Sequence, residues 1–156
     1  MSERIYPMVA RMLGSRESAE DAVQEIMIKL WDKRRNLVNH PNITGFVFLT
    51  ARNYCLDTLK KKYPETEPFE VQFRLMESQR SDNEIEWKEL NAIVGNILKE
   101  LPEQQREIMV LRDLDGLEYN EVAEITKLKV EHIRVLLSRA RKQVSEKLKK
   151  IYSYAK

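Results

Sequence analysis

The chain has 156 residues, 42% apolar and 33% charged, with a formal net charge of +2, enough for one ordinary domain or two small ones with a packed core and a well-solvated surface. Four Gly in the whole chain and many Leu, Lys, Glu and Arg point to an almost all-helical protein. No apolar run approaches the roughly 20 residues of a membrane span and no signal-peptide hydrophobic region opens the chain, so a cytoplasmic protein without membrane insertion is expected.

Ile5, Met8, Val9, Met12 and Leu13 recur at helical spacing and predict a short first helix, stopped by Gly14 and Ser15. A second helix follows over SRESAEDAVQEIMIKLWDKRRNL. Ser15 or Ser18 can serve as its N-cap, and Glu17, Glu20 and Asp21 stand in its first turn, where the helix dipole favours acids. Its inward stripe reads Ala19, Val23, Ile26, Met27 and Leu30. Asp21, Gln24, Glu25 and Ile28 share another face, an acidic and amide-bearing ridge whose simplest reading is plain solvation. Asn36 to Thr44 reads as a loop, with Asn39, His40, Pro41 and Asn42 as turn formers and Thr44 as cap of the next helix. That helix, GFVFLTARNYCLDTLKKKY, buries Phe48, Ala51, Cys55 and Leu59 and exposes Thr50, Arg52, Asn53, Asp57, Lys60 and Lys61. Cys55 is the single cysteine, which excludes an internal disulfide and a cysteine-rich metal site and leaves it the role of a small buried hydrophobe. Amide, aromatic and basic groups beside a loop are what single-stranded nucleic acid requires, because unstacked bases stack on rings while their edges meet amides and the backbone meets Lys or Arg.

Composition shifts after Lys62. Between Tyr63 and Asn91 stand eight acids and three basic residues, with Pro64 and Pro68. This predicts a linker over 63–81 between a first domain, 1–62, and a second, 82–156. Trp87, Leu90, Ile93, Val94, Ile97, Leu98 and Leu101 make a long apolar face ending at Pro102. A further helix then starts with Pro102 at its first position, buries Ile108, Met109 and Leu111, and stops at Gly116.

From Leu117 to about Val144 the chain reads as two helices joined by a short turn. The first carries Val122, Ala123 and Ile125. The second repeats Val130, Ile133, Leu137, Ala140 and Val144 over about four turns, and sends Arg134, Arg139, Arg141 and Lys142 off that stripe. From Val130 to the end there are eight Lys or Arg against two Glu. A short helix, a tight turn and a longer basic helix suggest helix-turn-helix DNA binding, although a basic amphipathic helix alone is more often a solvated face. Enzyme chemistry finds no foothold. Both His residues are isolated, no Ser or Cys nucleophile stands beside a His, and no HExxH, P-loop or GxGxxG sequence occurs, so neither catalysis nor a cofactor nor a metal is expected.

Three blocks, AEDAVQEIMIKLW, GFVFLTARNYCLDTLKKK and Leu101 to Lys142, resemble bacterial sigma factors of the extracytoplasmic-function type, the reduced sigma-70 class that keeps the second and fourth conserved regions. The blocks cover about half the chain, in the family's order and spacing. The resemblance implies an all-α protein of two small helical domains joined by a flexible linker, the second with the helix-turn-helix. It further implies binding to core RNA polymerase and promoter DNA, commonly under restraint by an anti-sigma factor, and a monomer when free. Asp21, Gln24, Glu25 and Ile28 would dock on the polymerase. Asn39, His40 and Asn42 in the loop would take an extruded base of the minus-ten element. Phe46, Arg52, Asn53, Asp57, Lys60 and Lys61 on the following helix would melt and hold its strand. Arg134, Val135, Ser138 and Arg139, flanked by Glu131 and His132, would face the minus-thirty-five element, while Arg112 and Tyr119 would contact phosphates. By residue chemistry Arg134 can read guanine bidentately or hold a phosphate, and Val135 suits a thymine methyl. The chain departs from the family pattern in placing Lys127 where a turn Gly is usual, Lys129 where a small polar cap is usual, and Phe46 in place of Trp. Its opening helix is also short, as though part of the family's N-terminal helix were missing. A stand-alone helix-turn-helix regulator explains the C-terminal half equally well but leaves the first domain without a role.

Overall fold

A computed structural model describes residues 1–71 and 85–154, except the side chains of 85–88, 90, 91 and 154. It is helical, with no strand among the described residues, and divides into two compact units, Met1–Asn83 and Glu84–Lys156.

In the first unit α1 (Ser2–Leu13) ends on Gly14, whose φ of 78° is the left-handed conformation that a residue without Cβ adopts freely. Ser15 then caps α2 (Arg16–Asp32), its hydroxyl accepting the Ser18 N–H at 3.0 Å. A four-residue helix, α3 (Arg34–Leu37), leads through a turn to α4 (Ile43–Lys62). The cap of α4 is Asn42 and not Thr44, because the Asn42 Oδ1 accepts the Gly45 N–H at 3.1 Å and Thr44 already lies within the first turn. The Asn42 side chain lies close over the third residue of the helix, which is a glycine. A Cβ at Gly45 would stand 2.6 Å from the Asn42 side chain.

The three long helices enclose Ile5, Met8, Val9, Met12, Ala19, Ile26, Phe48, Ala51 and Cys55, all at most 1% exposed. Two residues of the predicted α2 stripe fall differently. Ala22 is buried and Val23 half-buried, while Met27 is 36% exposed, so the inward line runs Ala19, Ala22, Ile26 and Leu30. Spacings of three, four and four keep one face of a 3.6-residue helix, which Met27 leaves. The predicted linker is also shorter at its front. Residues 68–71 form a helical turn and Val71 is 4% exposed within the first unit. The remainder of that stretch, from residue 72, lies outside the described residues.

In the second unit α5 (Ile85–Glu100) buries Ile97 and Leu98. Trp87 and Leu90, part of its predicted apolar face, carry side chains outside those described. Pro102 is the N-cap of α6 (Glu103–Met109) and not its first helical residue, its ψ of 143° being extended. The helix then widens into a π-turn over Val110–Leu114, where Asp115 N–H reaches the Val110 carbonyl at 2.9 Å, and the chain turns at Gly116, φ 74°. Ile108 and Leu111 are buried there as predicted, with Val110, while Met109 is half-buried. Next come α7 (Tyr119–Thr126) and α8 (Val130–Tyr154). At 25 residues α8 is longer than the predicted four turns. Its continuation is tied to the rest of the unit by Gln143 to Gln105 at 2.9 Å and Lys147 to Glu100 at 2.6 Å.

Candidate protein-docking and nucleic-acid surfaces

The outward face of α2 brings Asp21, Gln24, Glu25 and Ile28 together, all exposed. The structure adds Met27 and Trp31 as apolar neighbours of Ile28. Ile28 is 55% exposed and Trp31 65%, with Met27 beside them, so the ridge is less polar than its sequence spacing implied. Arg34 stacks 4.3 Å above the Trp31 ring and donates to the Trp31 carbonyl at 2.9 Å, holding the indole on the surface. Asp21 also lines a cavity of about 230 Å³ with Tyr54, Thr58 and Lys62 of α4, which places the ridge's N-terminal end at the junction of two helices.

The loop before α4 is ordered by its own side chains. His40 Nδ1 accepts the Asn42 N–H at 2.9 Å, and its ring lies 5.3 Å from that of Phe46. The neighbouring Asn39 is exposed. Along α4 the positions of Phe46, Thr50, Asn53, Asp57, Lys60 and Lys61 are three or four residues apart and form one ridge. Asn53, Asp57, Lys60 and Lys61 are exposed on it, while the Thr50 hydroxyl is turned to its own helix, donating to the Phe46 carbonyl at 2.9 Å. Arg52 stands off this ridge and is half-buried, so it is not brought together with the others. The aromatic pair at one end and the Lys residues at the other give the ridge a stacking platform and a cationic track.

In the second unit the helix-turn-helix turn is built without glycine. Lys127 sits at φ 61°, the left-handed conformation, and its N–H reaches the Ala123 carbonyl at 2.8 Å. The Thr126 hydroxyl donates to the Val122 carbonyl at 2.8 Å and accepts the Leu128 N–H at 3.3 Å, so a threonine closes the turn. Lys129 begins α8 through its carbonyl, which accepts the Ile133 N–H at 3.0 Å.

On α8, Glu131, His132, Arg134, Val135, Ser138 and Arg139 are all exposed, opposite the buried Ile133, Leu136, Leu137 and Ala140. Arg134 and Arg141 are seven residues apart and so share one flank. Both are held. The Arg134 guanidinium lies 5.0 Å from the Tyr119 ring centroid, and that of Arg112 lies 4.7 Å from the same centroid. Arg112 donates to the Leu117 carbonyl at 2.8 Å. Arg141 grips Asp113 through two bonds, 2.9 and 2.5 Å long. That hydrogen bond is the main reason the Arg141 guanidinium is held above its ordinary pKa, against a smaller opposing effect of burial. The sequence groups Arg112 and Tyr119 as phosphate contacts, apart from Arg134, and does not reveal that the three converge. The signal was weak, because the three stand in different elements and only the π-turn and the short turn bring them together.

Two family profiles match the chain, Sigma-70 region 2 over residues 2–64 and Sigma-70 region 4 over residues 92–144. Among similar proteins, the ECF RNA polymerase sigma factor SigW of Bacillus subtilis is 27% identical, covering 94% of this chain and 84% of its own length. The ECF RNA polymerase sigma-E factor of Escherichia coli K12 is 29% identical over 93% of this chain and 81% of its own length. Among solved structures, the sigma factor RpoE of Bartonella quintana, crystallised with the anti-sigma factor NepR, superposes with a TM-score of 0.58 at 21% identity. It covers 95% of this chain and 91% of that one, a likeness of fold.

Proposed function

The chain belongs to the sigma-70 family, within its extracytoplasmic-function class of RNA polymerase sigma factors, and we propose that its two units divide the work of that class between them. Residues 1–62 dock on core polymerase and open the minus-ten element, residues 82–156 read the minus-thirty-five element, and 63–81 join them. The observation that carries this is the order of the two profile matches, region 2 falling in the first unit and region 4 in the second. A stand-alone regulator would leave the first match unexplained.

Asp21, Gln24, Glu25 and Ile28, with Met27 and Trp31, form the polymerase surface. Exposed apolar groups rimmed by polar ones gain by desolvation against a protein. Asn39, His40 and Asn42 flank the pocket for a flipped minus-ten base, Phe46 and His40 offer rings to stack on, and Asn53, Asp57, Lys60 and Lys61 follow the strand, with Arg52 at its margin. Melting trades base stacking for capture of flipped bases, and the trade closes only with polymerase present. On α8, Arg134 reads a guanine edge, Val135 meets a thymine methyl, Ser138 and Arg139 complete the groove face beside Glu131 and His132, and Arg112 with Tyr119 lies near a phosphate. The protein catalyses nothing itself and works in the cytoplasm, where polymerase and promoter are. It is held in reserve by an anti-sigma factor, as the class commonly is, and is monomeric when free. Free protein binds duplex weakly, since few phosphates are neutralised.

The test mixes the full chain with bacterial core polymerase, follows co-elution, and selects run-off promoters from a random library beside a Gln24→Ala, Glu25→Ala variant. Wild type that co-elutes and initiates while the variant fails at co-elution sustains the reading. A protein that ignores polymerase yet selects duplex DNA returns the account to a stand-alone regulator. The anti-sigma reading is checked by purification from native cells, where no small partner under any growth condition would count against it.

A further inference from the structure

The arginine assigned to base reading is not a free rod on the surface of α8. Its guanidinium rests over the Tyr119 ring at 5.0 Å from the centroid, and a second cation lies against the same ring. Tyr119 opens α7, whose start is locked because the buried Glu121 carboxylate accepts the Glu118 N–H at 2.9 Å. Arg112 occupies the ring at 4.7 Å while donating to the Leu117 carbonyl at 2.8 Å, so one of the two cations at the ring is pinned by the backbone. Two guanidiniums that share a ring also repel each other, and the pinned one limits where the other settles.

We propose that Tyr119 is a positioning residue, whose ring holds the Arg134 guanidinium in one orientation before DNA arrives and so sets the base preference at the position that Arg134 reads. The proposal rests on α8 being the recognition helix and deepens that reading. An unrestrained arginine samples many rotamers, yet its planar fork reads a guanine only when two N–H groups lie in the plane of the base. Stacking on a ring removes competing rotamers and leaves the donor edge of the guanidinium available. A tyrosine serving the phosphate alone would use its hydroxyl, and the ring would be incidental. The two roles therefore divide between two parts of one side chain, and two substitutions separate them. Tyr119→Phe keeps the ring and loses the donor; Tyr119→Gln keeps a donor and loses the ring.

The experiment reconstitutes the full chain with core RNA polymerase and selects from duplex promoters randomised across the minus-thirty-five element, comparing wild type, Arg134→Ala, Tyr119→Gln, Tyr119→Phe and the Arg134→Ala, Tyr119→Gln double variant. Arg134→Ala flattens the preference at one base pair by about ten-fold, the size of a lost bidentate contact. Tyr119→Gln flattens the same base pair by roughly three- to ten-fold and adds nothing to that base pair in the Arg134→Ala background. Tyr119→Phe restores the preference while lowering affinity evenly across the library. The proposal is overturned if Tyr119→Gln keeps the preference, or if Tyr119→Phe loses it. Tyr119→Leu, apolar and without a ring, repeats the test if the glutamine variant loses the helical circular dichroism of wild type. A library in which Arg134→Ala itself changes no preference overturns the recognition-helix reading first, and the proposal with it. That failure shows in the arginine variant, whereas failure of the proposal alone shows only in the tyrosine ones.

Discussion

The outward face of α2 in the first unit exposes Ile28, Trp31 and Met27 beside Gln24 and Glu25, whereas the outward face of α8 in the second carries Arg134, Arg139, Arg141 and Lys142. Inside, both units bury one apolar face per helix, and the same 3.6-residue period specifies both cores. The difference lies in what each helix leaves in water. Apolar area with amides at its edge gains from excluding solvent against another protein, while guanidinium and ammonium groups gain from displacing the counterions of a polyanion. Two small helical units with one packing solution can thus be aimed at unlike partners through a handful of outward positions.

The sharpest way to break that comparison is through a core. Phe48 is 1% exposed, and Phe48→Ala is expected to destabilise the first unit by about 3–5 kcal/mol. Peptide-resolved hydrogen exchange should show faster exchange in α1, α2 and α4, and equal loss in α7 and α8 would mean that the two cores are not separate. Next in size is Ile28→Asp, which puts a charge into the desolvated centre of the proposed polymerase surface. A loss of roughly 2–4 kcal/mol in core affinity is expected, measured by competition for core polymerase, with duplex binding of the second unit unchanged. Equal loss of both would end the division of labour.

A smaller effect is expected at Asp113→Asn, which removes the carboxylate gripped by Arg141. The two side chains are 52% and 28% exposed, so the pair contributes about 1 kcal/mol after screening. Because the folded pKa of Arg141 is raised above its unfolded value, this contribution is fully present below the unfolded pKa and is lost only as pH climbs through the folded one, in strong alkali. Urea denaturation of the second unit should therefore separate wild type from variant by the same amount at pH 6 and pH 8. The smallest change expected is at the turn. Lys127→Gly relieves a left-handed conformation that costs an ordinary residue about 1–2 kcal/mol, offset by the chain entropy of glycine and the loss of the exposed pair with Glu124. A net stabilisation of about 0.5 kcal/mol in α7 and α8 is the expected reading from thermal melts, and a destabilised variant would show that Lys127 does more than turn the chain.

Much of the fold was legible in the residues. Large apolar side chains announce a buried stripe at helical spacing, which is why α1, α4 and α8 were placed with their inward faces. The strain at Lys127 was equally visible, since the turn needs a left-handed residue wherever the chain puts one. Ala22 gave no such signal. A methyl group contributes little to an apolar pattern, and yet it lies inward on α2, lining the cavity with Tyr54 and Leu59 of α4, so Val23 was read in its place and the stripe took in Met27, while Ala19, Ile26 and Leu30 were read on the right face. Caps are close contests. Asn42 and Thr44 are both acceptable by residue type, and the Gly45 N–H decides between them at 3.1 Å. Of the candidate surfaces, the residues on one helix were legible because spacing alone collects them. The meeting of Arg112, Tyr119 and Arg134 was not, because it depends on a π-turn that no periodicity announces.

Asn42 and Gly45 carry a further consequence for substitution. With the cap in place, a methyl group at position 45 would stand 2.6 Å from the Asn42 side chain. An alanine at 45 would therefore make the Asn42 side chain shift from the position in which it now accepts the Gly45 N–H. Change at one of the two positions thus alters the geometry available to the other, and a larger residue at 45 calls for a differently placed capping side chain at 42.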